Sequence, residues 1–171
     1  MSLAGHLNLS LFGLGSRRVP VLLQSEASEC ALACLAMVVA AHGHRTDLPT
    51  LRQRFSLSLK GATMADLVRM AGELHFNPRA LRVEPEQLEQ LALPCVLHWD
   101  LNHFVVLTEV RGRTVTLHDP ARGVRRLKLH ELSQHFTGVA LELTPAADFA
   151  PKVERQSVKL STRRALADGY A

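Results

Sequence analysis

A chain of 171 residues, 47% hydrophobic and 21% charged, has the size and composition of one soluble globular domain with a real core. Its net charge of +4 is scattered rather than gathered in a stripe and aromatics make up only 5%, so a nucleic-acid surface is poorly supported and no nucleic acid is expected as a partner. No apolar run approaches the roughly 18 residues that span a bilayer, and three cysteines, an odd number, do not make a disulfide framework, which fits a reducing, cytosolic face.

Residues 1–16 are weakly apolar, without a basic n-region or a cleavage site, and read as a flexible lead-in or a short surface helix. Arg17, Arg18 and Pro20 mark the entry to the main domain, expected over 17–145, and 21–23 form a short extended piece. Ser28 is placed to cap the next helix, with Glu29 in its favourable first turn. Residues 30–42 are apolar almost all round, which predicts a central, buried helix closed by Gly43 as its C-cap. A short helix follows over 48–55, then a turn at Lys60 and Gly61. Thr63 to Asp66 is a capping-box-like start for a helix to about Leu74, with Leu67, Met70 and Ala71 on one face. Asn77 and Pro78 are expected to break it, before a strand over 80–83 and a short helix over 85–91. From Pro94 the period changes to that of strands, at 95–99, 103–110, 114–118, 124–129 and 139–143, with Arg111, Gly112 and Arg113 as a tight loop and a short helix over 129–135. Helices first and an antiparallel sheet afterwards make an α+β fold. From Thr144 the chain turns polar, and Pro145, Pro151 and the basic Lys152, Arg155, Lys159, Arg163 and Arg164 predict a linker or tail over 146–171.

The chemistry starts at Cys30, on the first turn of the buried helix, where the field of a helix N-terminus favours a thiolate nucleophile. Gln24, six residues upstream, carries an amide able to donate to a developing oxyanion. With nine histidines in the chain, position has to select the base. His103 begins one strand and Asp119 ends the next. If the loop between them is the three residues 111–113, Val110 stands opposite Thr114 and Val105 opposite Asp119, which makes His103 and Asp119 diagonal neighbours on one face. An aspartate there would fix the imidazole tautomer, while alternation sends His118 to the other face. Each signal alone has a bland reading: a core cysteine, a structural histidine, a turn-starting aspartate. In this order they form a nucleophile–base–orienter set, with Cys34 and Cys95 as small core residues. His42, His44, His98, His118, His130 and His135 lack paired metal-ligand spacing, and no phosphate-cradling glycine motif is present. No metal or cofactor is therefore expected, and the chain itself is not expected to bind ATP.

The segments QSEASECALACLAM (24–37), SLKGATMADL (57–66), LPCVLHWDLNHFVVL (93–107) and HDPARG (118–123) resemble, in this order, the bacteriocin-processing cysteine peptidase domains. These are the N-terminal domains of ABC exporters that cut leader peptides after a double glycine, and the resemblance points to those of the colicin V type. The resemblance covers about residues 17–150 and implies a papain-like fold. It implies Cys30 as nucleophile, His103 as general base, Asp119 as orienting residue, and Gln24 with a backbone N–H near Cys30 as the oxyanion hole. A catalytically dead branch lacks the cysteine; this sequence keeps it. The implied substrate is a precursor peptide with a Gly-Gly leader. The implied partners are the membrane and ATPase domains of an ABC transporter, in cis or in trans, at the cytoplasmic face of the bacterial inner membrane, where ATP would be used only by that separate ATPase. Two features depart from the pattern. Ala31 stands where the family usually has glycine, adding a methyl beside the nucleophile, and the sequence ends at Ala171 where family exporters continue into transmembrane helices. Two other readings are a non-catalytic docking domain with Cys30 idle, and a related cysteine hydrolase acting on another amide.

Overall fold

The computed structural model describes residues 18–154. A 3-10 turn at Ala27–Glu29 leads into α1 (Cys30–Ala41), followed by α2 (Leu48–Arg54) and α3 (Met64–Glu73). The second half holds β1 (Phe76–Arg82), a 3-10 helix at Pro85–Gln90, β2 (Cys95–Trp99), β3 (His103–Arg111), β4 (Thr114–Asp119), β5 (Gly123–Lys128), α4 (Leu129–Leu132) and β6 (Phe136–Pro145). The strands make one antiparallel sheet in the order β1-β6-β2-β3-β4-β5, the expected α+β arrangement.

Every residue of α1 except Ala40 is buried, because the helix lies between β2 and β3 on one side and α2 and α3 on the other. Its side chains share a core with Val96, Phe104, Val106, Leu141 and Leu143 of the sheet and with Leu67, Met70 and Ala71 of α3. A second core covers the other face of the sheet, where Leu97, Trp99, Val105, Leu107, Val115 and Leu117 pack with Leu88, Leu91 and Leu132. With both faces covered, β2 and β3 read as nearly continuous apolar runs rather than alternating ones.

The helix starts follow their local chemistry with one exception. Asp47 accepts the Thr50 N–H at 2.8 Å to open α2, and Thr63 and Asp66 exchange bonds of 3.2 and 2.8 Å to open α3. Ser28 does not cap α1. A 3-10 turn intervenes, and the Glu29 carboxylate closes it by accepting from the backbone N–H groups of Ser25 and Glu26 at 2.9 and 3.0 Å. At its other end α1 stops at Ala41, and Gly43, at a φ of +93°, turns the chain away. Asn77 and Pro78 do not separate α3 from the sheet but lie inside β1, which starts four residues earlier than expected. β1 is an edge strand, so a proline there costs no ladder bond on its open side. The break comes earlier, at His75, whose φ is +62°. The helix expected over 129–135 shortens to the four residues of α4, and β6 begins at Phe136.

Residues 146–154, expected to open a linker, run back along the domain. Ala146 N–H bonds the His75 carbonyl at 2.9 Å, Arg45 and Lys152 are joined at 2.8 Å, and Phe149 sits edge-on to Phe76 with centroids 4.7 Å apart. Phe149, the one aromatic residue in that stretch, gives the segment its anchor. The lead-in 1–16 and the rest of the tail lie outside the described residues. Among the described residues, no helix is long and apolar enough to cross a membrane.

Candidate active site

Cys30 is the first residue of α1 and is 4% exposed. His103 is the first residue of β3 and Asp119 the last of β4. Element ends are where side chains from different layers can meet, and these do. His103 Nε2 lies 2.8 Å from Asp119 Oδ1, and the Cys30 thiol lies close enough to the same ring to raise its pKa. Since Nε2 is taken by the carboxylate, Nδ1 is the nitrogen left for the sulfur. The carboxylate is itself held: Oδ1 also accepts the Ala121 N–H at 2.9 Å, and Oδ2 faces Arg125 Nη1 at 3.4 Å.

The register that brings His103 to Asp119 differs in detail from the expected one. Arg111 pairs with Thr114, so the loop is the two residues Gly112 and Arg113, not three. That alone would put His103 on the wrong face. A β-bulge between Leu107 and Glu109 leaves Thr108 without a partner and shifts the ladder by one, so that Leu107 meets Leu117 and Val106 meets His118. Continuing that register sets Val105 opposite Asp119, and the diagonal relation is restored. His118 points the other way, and its Nδ1 donates to the Pro20 carbonyl at 3.1 Å.

Gln24 is brought in by its backbone. Its N–H bonds the Pro120 carbonyl at 2.9 Å, beside Asp119, and its side chain lines a cleft of about 260 Å³ together with Trp99, Asn102, His103 and Asp119. Its Oε1 is enclosed without a hydrogen-bond partner among the described residues, which leaves the amide NH2 as the group available to the cleft. The Ala31 methyl is fully buried among core residues, away from solvent.

The electrostatics separate the three cysteines and poise the histidine. Burial alone would lower the His103 pKa, but the hydrogen bonds and charges of Asp119 and Cys30 outweigh it and raise it to about 9. Burial acts against the charge of Asp119 too, yet its bonds to His103 and Ala121 and the nearby Arg125 bring its pKa below the usual carboxylate value. Cys34, one turn further along α1, is fully buried; burial first, then the charges on Cys30 and Asp119, push its thiol well up. Burial and the Glu142 carboxylate do the same to Cys95. Those two are core thiols.

The far wall of the cleft was not singled out in the sequence. Arg125 lies over the Trp99 ring at 5.9 Å, Trp99 stacks on His135 with centroids 5.1 Å apart, and His135 Nδ1 bonds Asp100 at 2.8 Å. One signal was available. A hairpin turning at 119–123 pairs Leu117 with Arg125, which places Arg125 diagonal to Asp119 on the same face.

A model of the Peptidase C39 family matches residues 18–148. The chain is 48% identical over 150 residues to the colicin V secretion/processing ATP-binding protein CvaB of Escherichia coli, covering 88% of this chain and 21% of that protein. It is 47% identical over 147 residues to the probable microcin-H47 secretion/processing ATP-binding protein MchF of Escherichia coli, covering 86% of this chain and 21% of that one. It thus spans about a fifth of the length of these relatives. Among solved structures it is similar to a double glycine motif protease from an AMS/PCAT transporter in complex with the leader peptide, with a TM-score of 0.71 and 34% identity over 76% of this chain and 94% of that one. The fold is that of a papain-like peptidase domain.

Proposed function

The chain belongs to the Peptidase C39 family, and from that membership we propose that it is a cysteine endopeptidase that cuts the leader from bacteriocin-type precursor peptides after a Gly-Gly motif. The observation that carries this is the His103 ring, hydrogen-bonded to Asp119 and standing beside Cys30 at the start of α1, with Gln24 at the same cleft. The kind of substrate is supported by relatives that are secretion/processing proteins and by a solved relative holding a leader peptide. In this reading the domain works at the cytoplasmic face of the bacterial inner membrane, beside the membrane and ATPase domains of a transporter, in cis or in trans.

The steps follow from the groups present. His103 Nδ1 takes the proton of the Cys30 thiol, and Asp119 at Nε2 stabilises the resulting imidazolium. Sγ attacks the carbonyl carbon of the second leader glycine, and the π electrons of that carbonyl move onto its oxygen. Gln24 Nε2 and a backbone N–H at the start of α1 donate to that oxyanion. As the carbonyl re-forms, the C–N bond breaks and the imidazolium gives its proton to the leaving amine. The leader is left as a thioester on Sγ. Water then attacks the thioester carbonyl as His103 takes its proton, the C–S bond breaks with its electron pair returning to Sγ, and the leader leaves as the acid, which ionises to its carboxylate in water.

The test is a synthetic leader peptide ending in Gly-Gly plus several residues, incubated with wild type and with Cys30→Ala and read by mass spectrometry. A single cut after the second glycine, absent in Cys30→Ala, is the expected result. A peptide that binds but stays intact would turn the reading to a docking domain, and a cut elsewhere would turn it to another amide hydrolase.

A further inference from the structure

Glu29 takes no part in the steps above, yet it is 3% exposed and immediately precedes the nucleophile. Its Oε2 accepts the N–H groups of Ser25 and Glu26 at 2.9 and 3.0 Å, and its Oε1 lies 2.5 Å from Nη2 of Arg52 on α2. A buried carboxylate is costly unless it is both paired and hydrogen-bonded. A neutral hydroxyl at a cap would satisfy a backbone N–H without that cost.

What the carboxylate holds explains its presence. The N–H of Gln24 is bound to the Pro120 carbonyl, and the next N–H along the chain, that of Ser25, is bound to Glu29. Gln24 is thus clamped on both sides. One clamp is tied to the residue after Asp119 and the other to the residue before Cys30, so a single short segment spaces the amide from both. Arg52 is half exposed and supplies the counter-charge from a separate helix. Without it an uncompensated carboxylate would lie beside the nucleophile, and the turn at Ala27–Glu29 would relax towards water.

We propose that the Glu29–Arg52 pair is a positioning device for the oxyanion hole, fixing the Gln24 amide relative to Cys30. The proposal rests on the reading of Cys30 and Gln24 given above. A displacement of about 1 Å at such a donor costs up to about a hundredfold in rate, and loss of the donor between about a hundredfold and a thousandfold.

The test uses the full 171-residue chain and two reactions at Cys30. Acylation by p-nitrophenyl acetate builds a tetrahedral oxyanion; alkylation by iodoacetamide does not. In Arg52→Met and in Glu29→Gln, acylation should slow between about tenfold and a hundredfold while alkylation stays within about threefold. Arg52→Lys, which keeps the charge, should recover most of the acylation rate. A parallel fall in both reactions together with the thermal midpoint would overturn the proposal in favour of a purely structural pair. Unchanged acylation in Arg52→Met would overturn it as well. Wild type that acylates quickly but leaves a Gly-Gly leader intact would strike the assigned substrate and leave the positioning role standing on the variants. Wild type that acylates no faster than a free thiol would overturn both.

Discussion

Replacing Asp119 by asparagine keeps the shape of the side chain and removes the charge under His103. In wild type the ring's pKa stands at about 9 against an ordinary value of 6.5, despite a burial that acts in the opposite direction. That difference is worth about 3 kcal/mol in favour of the imidazolium, at about 1.4 kcal/mol per pH unit. Asp119 and Cys30 share it, so Asp119→Asn should bring the alkaline limb of kcat/KM down by about one to two pH units. The direction of the stability effect is also determined. A ring whose pKa is raised in the folded state stabilises the fold fully below about pH 6.5, and that contribution is lost as pH rises through about 9. The Asp119 carboxyl, depressed in the fold, contributes above its unfolded value near 3.8 and is lost as pH falls through its lower folded value. The deficit of the variant should therefore be largest between about pH 4 and 6.5 and shrink above about pH 9. Leader-peptide cleavage across pH, with an NMR titration of the His103 ring, measures both effects. An alkaline limb within about 0.3 pH units of wild type would refute the assignment of Asp119 as the group that holds His103.

Two further experiments probe the surroundings of Cys30. Ala31→Gly should cost about 2 kcal/mol in denaturant unfolding, from lower helix propensity and one lost buried methyl, with cleavage within about threefold of wild type. A rise in cleavage above about tenfold would instead mean that the methyl obstructs the substrate. Iodoacetamide near neutral pH should add one equivalent rapidly, at Cys30, because Cys34 and Cys95 are fully buried and their thiols are pushed up. A second equivalent added at a similar rate, found by mass spectrometry at either residue, would contradict the packing of α1 or β2.

The parts of the fold legible in the sequence are those governed by local chemistry. The all-round apolar run of α1 could only be a central helix, and the Thr63–Asp66 pair announced α3. The meeting of the candidate residues was legible for a related reason: Cys30, His103 and Asp119 stand at the ends of elements, so locating the elements located them. What escaped depends on distant partners. Pro78 fits inside β1 only because that strand lies at the sheet edge, a fact of topology. The wall of Trp99, Arg125 and His135 joins β2, β5 and the turn before β6, which no local pattern links. Glu29 reads as an ordinary first-turn acid until Arg52 arrives from α2.

The hairpin of β3 and β4 shows how a correct juxtaposition can rest on an incorrect turn. Both the three-residue loop and the observed two-residue loop with a bulge bring Val105 opposite Asp119, and they differ only in where the extra residue sits. The bulge has a trace in the sequence. Val105, Leu107 and Val110 all pack on the same core, so strict alternation fails between Leu107 and Val110, whereas Val115 and Leu117 opposite them keep it. Deleting Thr108 separates the two arrangements. In the observed ladder the deletion removes the unpaired residue, leaves Leu107 against Leu117 and Glu109 against Thr116, and keeps His103 diagonal to Asp119. The Thr108 hydroxyl bond to the Thr116 carbonyl, 3.1 Å long, is lost at a cost of about 1 kcal/mol. Cleavage should then persist within about tenfold of wild type, since the placement of Cys30, His103 and Asp119 is untouched. Under a three-residue loop without a bulge, the same deletion would rotate His103 to the opposite face of the sheet and abolish cleavage. A folded but inactive deletion variant would therefore refute the bulge as the element that sets the register of the site.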